Sequence, residues 1–176
     1  MNVIITILLI VAGIIVLLLI IALFMKREHY VNREIIINAP RQKVFDYIKL
    51  LKNQDEFNKH AMAGPDRERE FKGTDGTVGY IYAWRGNKNA GVGEKEIKNI
   101  IEGHSIEMEI RFVKPMRVTA NIIMETESLS DNQTKVSWIN AGTLKYPMNL
   151  MIPIAEKKFP KDMDISLSTL KSILEK

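Results

Sequence analysis

The sequence has no cysteine, which removes disulfides and thiol catalysis from any account of its fold or activity. Its 25 Lys and Arg are scattered among 21 Asp and Glu, with no basic run longer than two. A net charge of +4 spread in this way gives no electrostatic footprint for nucleic acid. No two of the histidines His29, His60 and His104 stand at metal-ligand spacing beside a carboxylate, so they read as surface groups and no metal or cofactor is expected. Gly91 and Gly93 in "AGVGEK" lack the phosphate-loop spacing and read as hairpin glycines.

Charge is also missing, locally, from Val3 to Phe24, where Thr6 is the only polar side chain. A helix of this length rises about 33 Å, enough to cross a hydrocarbon core of about 30 Å. A cleaved signal peptide would need a basic start and a small-residue cleavage site, and "MNVIIT" has no Lys or Arg while no A-x-A precedes Lys26. Residues 1–26 are therefore expected to form a single transmembrane anchor, and residues 27–176 a folded domain. Lys26 and Arg27 flank the span on its C-terminal side, which by the positive-inside rule places the domain in the cytoplasm. Gly13 has no small residue four positions away, so the span carries no signature of tight helix pairing.

The folded part opens on "REIIINAPRQKVFDYIKLLKN". Three isoleucines favour an extended chain, and Pro40, which has no N–H for a sheet ladder, suits the start of a helix. Val44, Phe45, Ile48 and Leu51 then form a helical apolar stripe, and "KNQDEFNKHAM" predicts one or two further helical turns. From Asp66 the pattern changes to period two. Turn chemistry at Asp75-Gly76, Gly86 to Gly91, Gly103, Pro115 and Asp131-Asn132 separates six strand candidates, near 66–72, 77–85, 92–102, 104–113, 117–128 and 133–144.

One face of these strands is apolar: Val78, Tyr80, Tyr82 and Trp84; Ile106, Met108, Ile110 and Phe112; Val118, Ala120, Ile122 and Met124; Val136 and Trp138. A sheet with one dry face needs a cover. Phe159, Met163, Leu167, Leu170 and Leu174 supply it, at the spacing of an amphipathic helix, with a kink or a fresh helix start expected at Pro160.

These segments resemble the SRPBCC superfamily, the helix-grip fold of START lipid-transfer domains and polyketide cyclases. "IIINAPRQKVFDYI" is similar to the family's opening strand and helix, "GTVGYIYAWRGNKNAGVGEKEI" to its tyrosine-tryptophan strand and glycine hairpin, "TKVSWINAG" to its late strand, and "DISLSTLKSILE" to its closing helix. The likeness runs over about residues 30 to 175 and extends to bacterial members with a preceding membrane helix. It implies an α+β fold, a curved antiparallel sheet of about seven strands wrapped around a long C-terminal helix, with the single transmembrane helix in front. Pro160 departs from the smoother final helix of that pattern.

In such a fold some inward side chains line a cavity. The candidates are Tyr80, Tyr82, Trp84, Met108, Phe112, Ile122, Met124, Trp138, Asn140, Met151, Phe159 and Met163. Asn140, inward beside Val136 and Trp138, needs a polar partner. The expected function is binding of a small hydrophobic or lipid-like molecule by a membrane-anchored domain, without cofactor. A cyclase-like or hydrolase-like enzyme would use Tyr80, Tyr82 and Asn140, but no acid–base pair stands out. A non-catalytic adaptor is the third reading.

Overall fold

The computed structural model describes residues 2–64, 66–86, 91–114 and 116–176. Helix α1, Val3–Phe24, has a mean hydropathy of 3.6 and is long and apolar enough to cross a membrane. Its side chains face outward all round except Ala22, which is buried. The Asn149 amide donates to the carbonyls of Ala22 (2.6 Å) and Met25 (3.1 Å), closing the end of α1 against a 3₁₀ turn at Met148–Met151. Lys26 Nζ lies 2.6 Å from the Glu156 carboxylate, and Leu144 N donates to Arg27 O at 2.7 Å. The helix end is thus held on the domain by several bonds.

Strand β1, Glu28–Ile37, leads through Pro40 into α2, Arg41–Lys49. Val44, Phe45 and Ile48 of α2 are fully buried, as the apolar spacing requires. The predicted further turns are a 3₁₀ turn at Leu51–Asn53, then α3 at Gln54–Phe57 and α4 at Lys59–Met62. Helices this short do not stand alone in water. Tertiary bonds hold them: the Asp75 carboxylate accepts from Leu51 N (2.8 Å) and Lys52 N (3.1 Å), Asn58 caps α4, and Lys59 N donates to Ser166 Oγ at 3.0 Å.

Six strands follow: β2 Glu68–Lys72, β3 Ile81–Arg85, β4 Val92–Ile101, β5 Ser105–Lys114, β6 Val118–Ser130 and β7 Gln133–Thr143. With β1 they form one antiparallel sheet in the order β1-β7-β6-β5-β4-β3-β2. Gly86 N donates to Gly91 O at 2.8 Å across the β3–β4 hairpin; the hairpin tip at 87–90 and the turn residue Pro115 lie outside the described residues. The edge strand β2 is exposed throughout and carries Glu68, Arg69, Glu70 and Lys72, charges that discourage further pairing.

Helix α5, Ile152–Leu174, lies against the dry face and buries Met163, Leu167, Leu170 and Leu174. It begins with Pro153 in its first turn and runs unbroken through Pro160, so no new helix starts there. The flanking turns and the packing of α5 on the sheet outweigh the one hydrogen bond a proline removes. The architecture is the α+β helix-grip fold with an apolar N-terminal helix. Val78 departs from the predicted inward row: it precedes β3 in a turn and is 60% exposed, whereas Tyr80, Tyr82 and Trp84 face inward.

Candidate functional site

Between the concave face of the sheet and the α3, α4 and α5 helices lies a cavity of about 220 Å³. Its apolar wall combines Trp84 of β3, Ile110 and Phe112 of β5, Ile122 of β6, Trp138 of β7, and Phe159 and Met163 of α5. Leu51 and Ala61 close it from the short helices, and the exposed His60 and Ala63 mark its rim.

Of the residues named from the sequence, Tyr82, Trp84, Phe112, Ile122, Trp138, Asn140, Phe159 and Met163 line this cavity. The other four are placed elsewhere. Tyr80, Met108 and Met124 are fully buried in the packed core away from the cavity wall, and Met151 is on the surface in the 3₁₀ turn before α5. Alternation put the first three on the correct face, but only the stretch of that face opposite the gap becomes wall. The Tyr80 hydroxyl has no hydrogen-bond partner among the described residues, and burial, helped by Asp75, pushes its pKa up to about 12.

Asn140 has a polar partner within the protein: its Oδ1 lies 3.0 Å from His29 Nε2. This corrects the reading of His29 as a surface group, since it is 5% exposed and its ring meets Phe159 edge-on at 5.8 Å. Two local facts bury it. The period of β1 turns 29 and 31 inward, and Gly142 on the neighbouring strand leaves room, for a Cβ there would stand 2.7 Å from the imidazole. His60 is exposed, with Nε2 3.2 Å from Asp162 Oδ2, and His104 is exposed in the β4–β5 turn.

One end of the cavity is polar, and hydropathy gave no hint of it. Lys95 sits on β4 between the inward positions Gly93 and Ile97, opposite Tyr82 on β3 and Ile110 on β5. It is 8% exposed and donates to Gln54 Oε1. Burial first, and the nearby Arg67 guanidinium second, lower its pKa to about 8. Gly93 fits the same crowded strand, where a Cβ would lie 2.7 Å from both the Arg111 carbonyl and the Trp84 ring.

Beside it, Asp55 of α3 gathers a network. Its carboxylate accepts from Arg67, from Arg69 Nε (2.8 Å) and from the Tyr82 hydroxyl (2.7 Å), and Arg67 also reaches Tyr82 Oη at 2.8 Å. Burial and the Asp55 bond raise the Tyr82 pKa, so the phenol stays protonated and donating. Across the cavity Asp162 of α5 is paired with Lys59. Among the described residues no cluster of His, Asp and Glu could hold a metal ion.

Fold and site define a helix-grip domain with an internal cavity that is apolar over most of its wall and cationic at one end. Solved structures agree on the fold. The Zhui aromatase/cyclase from a Streptomyces species aligns at a TM-score of 0.63 and 9% identity, over 84% of this chain and 94% of that one. A protein from Chromobacterium violaceum aligns at 0.61 and 13% identity (84% and 97%), and Ara h 8.0201 at 0.60 and 14% (84% and 97%). At such identities the likeness is one of fold. No protein-family model and no curated protein sequence matches the chain.

Proposed function

We propose that this protein is a membrane-anchored domain that holds a small hydrophobic or lipid-like molecule in the cavity between the sheet and α5. The observation that carries the reading is the cavity itself: a gap of about 220 Å³ walled by aromatic and aliphatic side chains from both layers. Burial of apolar ligand surface there gains roughly 25 cal/mol per Å² before the costs of association. The volume is below the roughly 300–1,000 Å³ of drug-sized sites, which favours a short chain or a single ring. A cyclase-like activity has less support, because Tyr82 is bound to Asp55, Asn140 to His29, and Tyr80 lies off the cavity.

Two substitutions separate wall from core. Met124 is fully buried in packed core, so Met124→Trp is expected to cost about 1–3 kcal/mol by overpacking. Ile122 lines the cavity, so the ring of Ile122→Trp can enter the gap with a smaller loss of stability and exclude the ligand. Native mass spectrometry of the full chain released from detergent should then show a bound apolar molecule on the wild type and none on Ile122→Trp. A wild type that carries nothing and takes up no added apolar compound would sink the reading.

The anchor is α1, which would place the cavity beside a reservoir of apolar molecules. Lys26 and Arg27 at its C-terminal end argue for a cytoplasmic domain in the cell membrane. A reporter fused after Lys176 is expected to behave as cytoplasmic, and protease digestion of the domain from outside intact cells would refute that orientation.

A further inference from the structure

The buried hydrogen-bonding groups left over in the described cavity wall are mostly donors; the acceptor among them is Asp162 Oδ2, on α5 across the cavity. Arg67 Nε and Trp138 Nε1 are buried with no hydrogen-bond partner among the described residues, in side chains that are 7% and 5% exposed. The Lys95 ammonium has three protons, and its hydrogen-bond partner is the neutral Gln54 amide. Buried donors without acceptors are costly, and their unpaired N–H dipoles add to the positive potential along the wall.

The charges are equally one-sided. Asp55 is paired with Arg67 and Arg69, and Asp162 with Lys59. Lys95 has no carboxylate at ion-pair distance among the described residues. The cavity therefore carries one cation unmatched by protein charge, at one end of an apolar wall.

We infer that the ligand is a monoanionic amphiphile, a short apolar chain or ring with a carboxylate head, whose oxygens accept from Lys95. This rests on the apolar-ligand reading above and specifies its polar end. A carboxylate brings the single negative charge that Lys95 lacks. A dianionic phosphate would bring a second charge with no partner, beside Asp55.

Lys95 also separates function from folding. Its folded-state pKa lies below the unfolded value, so carrying the proton at pH 7 opposes folding of the unliganded protein; the opposition falls as pH rises through about 8 towards 10.5. Lys95→Met removes that opposition. The variant should unfold at a higher temperature than the wild type at pH 7 when both are empty, which a merely damaged fold would not do.

The test uses the full chain in nanodiscs of zwitterionic lipid and its two tryptophans, Trp84 and Trp138, both on the cavity wall, as the fluorescent reporters. Octanoate is compared with the neutral octanamide, with empty nanodiscs as blank. Octanoate is expected to bind at least about tenfold more tightly than octanamide, from the strength of charge-assisted hydrogen bonds. In Lys95→Met that preference should vanish, with the melting temperature showing that the variant is folded. Equal binding of the two by the wild type would overturn the anionic head and leave the apolar-ligand reading standing. Binding of neither would overturn both.

Discussion

Asp55→Ala is expected to destabilise the domain by about 3–5 kcal/mol, because it leaves the buried Arg67 guanidinium without its counter-charge. The carboxylate holds three groups at once: Arg67, Arg69 and the Tyr82 hydroxyl. Arg69 can turn to water, but Arg67 cannot. Its side chain is packed over the Tyr82 and Trp84 rings, with 5.4 and 5.9 Å to their centroids. For a domain of this size the loss corresponds to a fall of roughly 10 °C in Tm. Thermal unfolding of the full chain checks it. The second substitution Arg67→Met in the Asp55→Ala background should restore part of the stability, since it removes the stranded charge. A drop of less than about 1 kcal/mol in the single variant would mean that the network behaves as an exposed ion pair.

Phe57→Ala should cost a similar amount, about 3–5 kcal/mol, as expected for an aromatic ring removed from a full core. Phe57 is the last residue of α3 and fully buried, with ring contacts to Tyr47 at 6.3 Å and Trp138 at 6.2 Å. Four residues cannot hold a helix by their own propensity, so this ring fixes the segment that carries Gln54 and Asp55 to the cavity. The substitution therefore has two readouts. Stability falls, and ligand affinity falls with it, because Lys95 loses a fixed Gln54 and the void beside Trp138 widens. Conversely, a loss well under 1 kcal/mol would show that the capping bonds from Asp75 and Asn58 hold the short helices without the ring.

The helix-grip architecture was legible before any coordinates because its parts are written in local periods. An uncharged stretch from Val3 to Phe24 can only be an apolar helix, and Pro40 bars the strand before it from continuing. The alternation in Ile106–Phe112 and Val118–Met124 and the stripe from Phe159 to Leu174 likewise need neighbours only a few positions away. They therefore fixed the dry face of the sheet and its cover. That no new helix starts at Pro160 was not legible, because tertiary packing on the sheet outweighs a local preference.

The polar end of the cavity belongs to the tertiary structure alone. Lys95 lies at the inward phase of β4, yet as a lysine between two glutamates it carries no sign in the sequence that this position faces a gap. Asp55, Arg67 and Tyr82 come from a short helix, the loop before β2 and strand β3, and each taken singly reads as a solvated or packed residue. Periodicity says which side of an element a residue occupies. It does not say what stands opposite, and that is decided by the curvature of seven paired strands and the seating of α3 and α5 across them. The same long-range geometry put Tyr80, Met108 and Met124 in packed core while Tyr82 and Ile122, two residues along the same inward rows, and Trp138, paired with Met124 across the strands, became wall.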